Sequence, residues 1–455
     1  MRSPDTIVAL STPPGRSGVG VIRLSGPDSL DYLKSLLRKA DFSPEPNRVS
    51  LHTLRAPEND EILDRALVTY FKAPQSFTGE DVVELSCHGS PVLLLHVIDA
   101  LLGLGARTAD PGEFTLRALS NGRLNLGQAE AIRDLIDAQT HAAVRQAARQ
   151  LGGELSARLQ PFKDALIELI VPLESSLEFV EDDLPELALA QLTHNLQQLS
   201  LNLTSLAETF RSGRLLKEGL KIALVGQPNV GKSSVFNRLL ASDRAIVTDI
   251  PGTTRDSLSE LLTIEGVPIL LTDTAGVRQA GDPIEQLGIE RTRRAIADAD
   301  LVIVVIDGSR NILPEDEAIY AEVIDSKHLI AINKSDLDSF DKGRMGGLVH
   351  GISLLPVSAK TGAGFDLLRR AILAPFSNSV PQDSGFLITN ARHFDLLKRA
   401  ADSLSSSQTV IQQGASEDLI LVGLYDALRY LGEITGETTP DDILSEIFST
   451  FCIGK

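Results

Sequence analysis

Gly226-Gln227-Pro228-Asn229-Val230-Gly231-Lys232-Ser233 is the stretch that decides how this chain folds. It follows the apolar run Ile222-Ala223-Leu224-Val225 and opens the helical stretch Val235 to Leu240. Strand, glycine loop and helix in that order are the context a phosphate-binding loop requires. Its glycines let backbone N–H groups curl around phosphates at a helix N-terminus. Lys232 can reach the β and γ oxygens, and the Ser233 hydroxyl can ligand Mg²⁺. Val230, Gly231 and Ser234 are assigned to the same nucleotide-binding loop.

Two further motifs turn a phosphate site into a guanine site with a switch. Asp273-Thr274-Ala275-Gly276 follows the strand-like Pro268 to Thr272. Asp273 can hold the metal through water, and the Gly276 N–H can meet the γ-phosphate. Asn333-Lys334-Ser335-Asp336 follows Leu329-Ile330-Ala331-Ile332. The Asp336 carboxylate can accept two charge-assisted hydrogen bonds from guanine N1–H and the exocyclic amine, a pair that adenine lacks. A carboxylate left unpaired discriminates by roughly 10⁴, so GTP rather than ATP is expected. Ser358-Ala359-Lys360, after Leu354-Leu355-Pro356-Val357, reads as the loop that seats the base from its other side.

The chain has 455 residues, 43% of them hydrophobic, which is enough for two or three domains with several cores. Cys87 and Cys452 are its only cysteines, and Met1-Arg2-Ser3-Pro4-Asp5 begins no signal peptide, so a reducing cytoplasmic compartment is expected. Apolar runs such as Leu301 to Ile306 are too short to span a bilayer. A formal charge of −18, from 43 basic and 61 acidic residues, argues against broad coating of nucleic acid and permits a local basic patch.

Strands alternating with helices over 217–380 predict a parallel sheet covered on both faces, with nucleotide at the strand C-termini. Helical periodicity over 121–216 and again over 381–455 predicts a helical domain into which the GTPase unit is inserted. Residues 1–120 carry strands at Thr6–Leu10, Gly20–Leu24, Arg65–Phe71 and Val82–Ser86 among helical signals, an α+β pattern. The loop Pro13 to Gly20 is too irregular for a dinucleotide fingerprint. The expected fold is thus multidomain α/β plus α.

Thr12-Pro13-Pro14-Gly15-Arg16, Ser76-Phe77-Thr78-Gly79-Glu80-Asp81, Pro111-Gly112-Glu113-Phe114-Thr115, the embedded GTPase motifs and the ending Phe451-Cys452-Ile453-Gly454-Lys455 together resemble the MnmE (TrmE) family of tRNA-modification GTPases. The resemblance covers essentially the whole chain. It implies a homodimer through N-terminal domains that bind 5,10-methylenetetrahydrofolate, with 5-formyltetrahydrofolate as analogue, through Arg23, Glu80, Arg123 and Lys455. Arg123 stands where some members carry Lys, which preserves charge but changes geometry. It further implies an FAD-dependent MnmG-type partner, in a heterotetramer or larger complex. Together the two would add an aminomethyl or carboxymethylaminomethyl group at C5 of the wobble uridine of certain tRNAs, with Cys452 involved in the chemistry.

Hydrolysis needs a substitute for the glutamine that orients water in Ras, because Val277 follows Gly276. The resemblance implies that Asn229, Thr248, Ile250 and Thr253 hold K⁺ in place of an arginine finger, and that Thr254 joins Ser233 on Mg²⁺. Asp249, Pro251 and Gly252 belong to the same nucleotide-binding switch segment, and Glu285 would be the carboxylate that orients water indirectly.

Each residue has a plainer alternative. Arg23 fits an edge salt bridge, Glu80 a turn or cap, Glu285 a solvated helix-start charge, and Cys452 a small buried hydrophobe. Arg255 reads as a switch salt bridge sooner than as a finger. At the level of the whole chain, the alternative is a regulatory or ribosome-assembly GTPase that binds RNA without chemistry on it. The folate contacts and terminal thiol distinguish the two. A scaffold with a degenerate nucleotide site conflicts with Lys232, Ser233, Asp273, Asn333 and Asp336 all being present.

Overall fold

The computed structural model describes residues 5–178, 186–243, 258–273, 293–341, 354–379, 385–414, 417–438, 444 and 447–454. They fall into two compact units. One comprises Met1–Arg133, Gln150–Glu174 and Leu424–Lys455, the other Asp134–Arg149 and Ser175–Gly423.

The first unit is built on a sheet of order β3-β4-β5-β2-β1-β6. Its elements are β1 (Ile7–Leu10), β2 (Val19–Ser25), α1 (Ser29–Leu37), β3 (Val49–Arg55), β4 (Ile62–Phe71), β5 (Val82–His88), α2 (Pro91–Gly103), β6 (Arg107–Thr108) and α3 (Glu113–Ser120). Alternation sorts its faces, since successive strand residues point to opposite sides. Ile22, Leu24, Val68, Val83 and Leu85 pack with Leu33, Leu36, Leu94, Val97 and Leu101 of α1 and α2. The opposite face carries Arg23 opposite Glu84 and Leu51 opposite Leu67. The sequence reading omitted β3 and β6. β3 is an edge strand whose outward Val49 and Leu51 are exposed. It therefore has little of the burial pattern that marks central strands.

Helices α4 (Leu126–Asp137), α5 (His141–Leu151), α6 (Glu154–Glu178), α7 (Glu186–Glu208) and α8 (Phe210–Glu218) follow. The second unit contains β7 (Leu220–Val225), α9 (Lys232–Asp243), β8 (Leu258–Ile264), β9 (Val267–Asp273), β10 (Leu301–Asp307), α10 (Pro314–Val323), β11 (His328–Asn333), β12 (Leu354–Pro356), α11 (Phe365–Leu373) and α12 (Ala391–Gln412). Helix α13 (Glu417–Thr435) follows.

The strand order is β12-β11-β10-β7-β9-β8. Every residue of β10 is buried. Leu301, Ile303 and Val305 join one core with α9 and α11, while Val302, Val304 and Ile306 join another with Val323 of α10. Helices therefore cover both faces, as expected. The sheet is not wholly parallel, however, because β8 pairs antiparallel with β9. The cause is local. Glu265 and Gly266 both have positive φ, 50° and 84°, which is the two-residue turn that returns a strand onto its neighbour.

Candidate functional site

The loop between β7 and α9 places Lys232 at the helix start, 6% exposed. Its Nζ donates to the carbonyls of Gly226 and Gln227 at 2.8 and 2.7 Å. Asn229 holds the left-handed region at φ 64°, which an asparagine tolerates better than most residues. Ser233 Oγ donates to Asp273 Oδ2 at 2.9 Å, joining the start of α9 to the end of β9. A hydroxyl and a carboxylate at this spacing form an oxygen donor set that suits Mg²⁺.

Asn333 is 3% exposed and ties three loops together. Its Nδ2 donates to the Val230 carbonyl of the phosphate loop at 2.9 Å, and its Oδ1 accepts from the Ala359 N–H at 3.0 Å. Ser358 Oγ, fully buried, donates to Asp336 Oδ1 at 2.6 Å and accepts from the Thr361 N–H at 3.1 Å. That hydroxyl holds the Asp336 carboxyl below the usual carboxylate range, so it is an anion at neutral pH. Lys360 stands exposed at the rim. Lys334, at φ 67°, reaches Asp307 Oδ2 at 2.6 Å. Burial works against ionisation of Asp307, but Lys334 and Ser309 outweigh it and depress its pKa. Asp307 escaped the sequence reading. The available signal was its position, at the C-terminal edge of β10 before Gly308-Ser309.

The structure thus brings together Asn229, Val230, Gly231, Lys232, Ser233, Ser234 and Asp273 on one side, and Asn333, Lys334, Asp336, Ser358, Ala359 and Lys360 on the other. Thr248 to Thr254, Thr274 to Gly276, Glu285 and Lys455 lie outside the described residues.

A second charged cluster occupies the first unit. Arg23 pairs with Glu84 at 2.7 Å on central strands, so the pair is internal to the sheet rather than at its edge. Its guanidinium also faces the rings of Phe77 and Phe114, each 5.7 Å from the centroid, and Nη1 donates to the Gly454 carbonyl at 3.5 Å. Glu80 accepts from Ser25 Oγ at 2.7 Å and from Arg117 at 3.0 Å. It is anchored by more than a turn. Arg123 is exposed, and its Cγ borders Gly79 beside Glu80. Arg117 itself binds Asp5 at 2.6 Å and Glu113 at 3.0 Å. Burial opposes ionisation of Glu113, yet Arg107 and Arg117 keep it below the ordinary range. The i, i+4 spacing of Glu113 and Arg117 was the signal for this network.

The chain's end closes over the same region. Ser11 Oγ donates to the Gly454 carbonyl at 3.2 Å, and Gly112 N–H donates to the Cys452 carbonyl at 3.4 Å. Phe451 is buried, but Cys452 is exposed. This corrects the reading of Cys452 as a small buried hydrophobe: the ring of Phe451 supplies the packing, and the neighbouring Cys452 is exposed. Cys87 is the buried cysteine, its thiol pushed up to about 12 by burial and then by Asp64.

A strand–glycine loop–helix unit with a lysine at the helix start, a metal-suited Ser–Asp pair and an Asn–Asp base loop held by a buried serine define a P-loop GTPase. Comparison with known proteins goes further. Residues 6–123 match the model "GTP-binding protein TrmE N-terminus", and residues 126–452 match "MnmE helical domain". The tRNA modification GTPase MnmE of Koribacter versatilis is 45% identical over 100% of both chains, and that of Heliobacterium modesticaldum 41% over 99% of both. Among solved structures, the G domain of the T. maritima FeoB iron transporter is 30% identical, covering 34% of this chain and 97% of that one with a TM-score of 0.27. The chain belongs to the MnmE family of tRNA modification GTPases.

Proposed function

We propose that this chain hydrolyses GTP and couples that hydrolysis to modification of C5 of the wobble uridine in certain tRNAs. It would do so as a homodimer working with an FAD-dependent MnmG-type partner in the cytoplasm. The observation that carries this reading is kinship over the full length of the MnmE relatives, in a chain that keeps both the phosphate and the base loop intact. Among the described residues, no helix is long and apolar enough to cross a membrane.

Asp336 selects guanine, Lys232 neutralises charge on the β and γ oxygens, and Ser233 with Thr254 holds Mg²⁺. Asn229, with Thr248, Ile250 and Thr253, would hold K⁺, which supplies positive charge where negative charge develops. Glu285 would orient the water indirectly. In the N-terminal domain, Arg23, Glu80, Arg123 and Lys455 bind the folate whose one-carbon unit is transferred. The contact of Arg23 with the Gly454 carbonyl, and the approach of Arg123 to Gly79 beside Glu80, support that assignment. The exposure of Cys452 supports a chemical role for its thiol. The division into 1–120, 121–216, 217–380 and 381–455 accompanies this reading. Dimerisation is supported by the edge strand β3, whose outward Val49 and Leu51 are 62% and 50% exposed.

The test is nucleoside mass spectrometry of tRNA from cells lacking their own family member, complemented with this chain or with Cys452→Ser. Restored aminomethyl-type wobble uridine with the intact chain alone supports both the function and the thiol's role. Restoration by both demotes Cys452 to a structural part. No restoration, despite GTP hydrolysis and a compatible partner, favours the RNA-binding switch.

A further inference from the structure

The turn that joins β5 to α2 presents an imidazole held by a carboxylate that also accepts from two backbone N–H groups. Asp64, with 8% of its side chain exposed, accepts from His88 Nδ1 at 2.7 Å, from the His88 N–H at 2.8 Å and from the Arg65 N–H at 2.7 Å. The His88 ring is 74% exposed. Because Nδ1 is engaged by Asp64, the ring's other nitrogen, Nε2, faces solvent as the available donor or acceptor. Burying a carboxylate carries a desolvation cost, and an exposed histidine needs no partner for its own stability. Besides anchoring the backbone N–H groups of Arg65 and His88, the arrangement sets the direction of Nε2.

Two unpaired guanidiniums flank it. Among the arginines described up to residue 123, Arg23, Arg38, Arg48, Arg55, Arg107 and Arg117 each lie in an ion pair. Arg16, Arg65 and Arg123 do not. Arg123 belongs to the folate site proposed above. Arg65 continues the β4–β5 register that pairs Leu67 with Ser86, which sets it beside His88, and it is exposed. Arg16 is brought to the same turn because the Ser17 N–H donates to the Gly89 carbonyl at 3.1 Å. The approach is close enough that a Cβ at Gly89 would meet the Ser17 carbonyl oxygen and carbon. The N-terminus of α2 opens here with Pro91 at its first turn and no side-chain cap from Ser90, which leaves the Val92 and Leu93 N–H groups directed outward.

We propose that Arg16, Arg65, His88 and the start of α2 form a contact surface for the phosphodiester backbone of RNA. In a chain of charge −18, free cations gathered at one turn are a local exception to the prevailing field. Two arginine forks and backbone N–H groups are donor types that position phosphates without reading bases, and the imidazolium form of the ring adds an N–H at Nε2. The surface lies at one end of the first unit's sheet, and the nucleotide loops belong to the other unit. The proposal rests on the reading that the chain acts on tRNA.

The experiment measures binding of an unmodified tRNA transcript to the full-length protein by fluorescence anisotropy across a salt series. Arg16→Ala/Arg65→Ala, Arg16→Lys/Arg65→Lys and His88→Gln are compared with the parent. Loss of two phosphate contacts should weaken binding and lower the slope of log K against log salt by about 2, while the lysine pair retains the slope. His88→Gln should lower it by up to about 1. GTP hydrolysis without tRNA, and binding of 5-formyltetrahydrofolate, should match the parent in all three. Parent and alanine variant binding tRNA with equal affinity and slope overturns the surface. Unchanged tRNA binding with weakened binding of polyglutamylated folate overturns it in favour of an acidic folate tail. A parent that fails to bind tRNA, alone or with its partner, overturns the underlying reading.

Discussion

Asp336 is the residue on which the proposed choice of base turns. Held as an anion by the Ser358 hydroxyl, it can accept from both guanine donors at once. Asp336→Asn replaces one acceptor by a donor, so GTP affinity should fall by roughly 10⁴. Affinity for xanthosine triphosphate, which has a carbonyl where guanine has its amine, should rise. Competition titration against a fluorescent nucleotide measures both. The cysteines provide a second test. Cys87 is buried with its thiol near 12, whereas Cys452 is exposed. Only a thiolate attacks a disulfide reagent, so at neutral pH the native protein should release one equivalent from such a reagent and the unfolded chain two. Release of two from the native state would contradict the burial of Cys87. At this scale the nucleotide residues were legible, because glycine, lysine and the Asn–Asp pair have few other uses in that order. Asp307, Arg117 and Asp64 were not, because a lone carboxylate or guanidinium takes its meaning from a partner far away in sequence.

Among elements, the contact between α3 and the residue segment before β1 is held by charge. Arg117 joins Asp5, Glu80 and Glu113. Desolvation raises Asp5 and Glu113, but the arginines outweigh it and both carboxyls sit below their ordinary range. A depressed carboxyl contributes stability that is present above its unfolded pKa, about 4, and is lost as pH falls through the lower folded value. The parent should therefore lose stability steeply below about pH 4. Arg117→Met leaves Glu80 without its ion partner and takes one of two arginines from Asp5 and Glu113, which keep Arg107, so it should cost about 1 kcal/mol or more at pH 7, less than for fully buried groups because Asp5 is 35% exposed. Its acid decline should be shallower. Urea midpoints between neutral and acid pH measure both, and parallel profiles for parent and variant would reject the account. The expected helices and most strands were readable from periodicity. The antiparallel β8 and edge strand β3 were not, because pairing direction depends on a two-residue turn and edge position on the rest of the sheet.

For the whole molecule, the proposed K⁺ at the phosphates would give GTP a way to pair two GTPase units across the proposed dimer and release them on hydrolysis. Exchanging K⁺ for Na⁺ at fixed ionic strength should slow hydrolysis by about tenfold or more and abolish pairing followed by scattering. Unchanged rate and pairing would end the K⁺ account. The amino-acid sequence by itself determined the GTPase class, the base preference and the order of α+β, helical and nucleotide-binding segments, because each rests on local spacing. Tertiary structure alone decided that Asn333 fastens the phosphate loop to the base loop. It likewise decided that the C-terminal residues return to Ser11 and Gly112, that Cys452 rather than Cys87 meets solvent, and that unpaired cations gather around His88. These contacts join residues as many as 443 positions apart, and burial and ion pairing at that separation are properties of the folded chain alone.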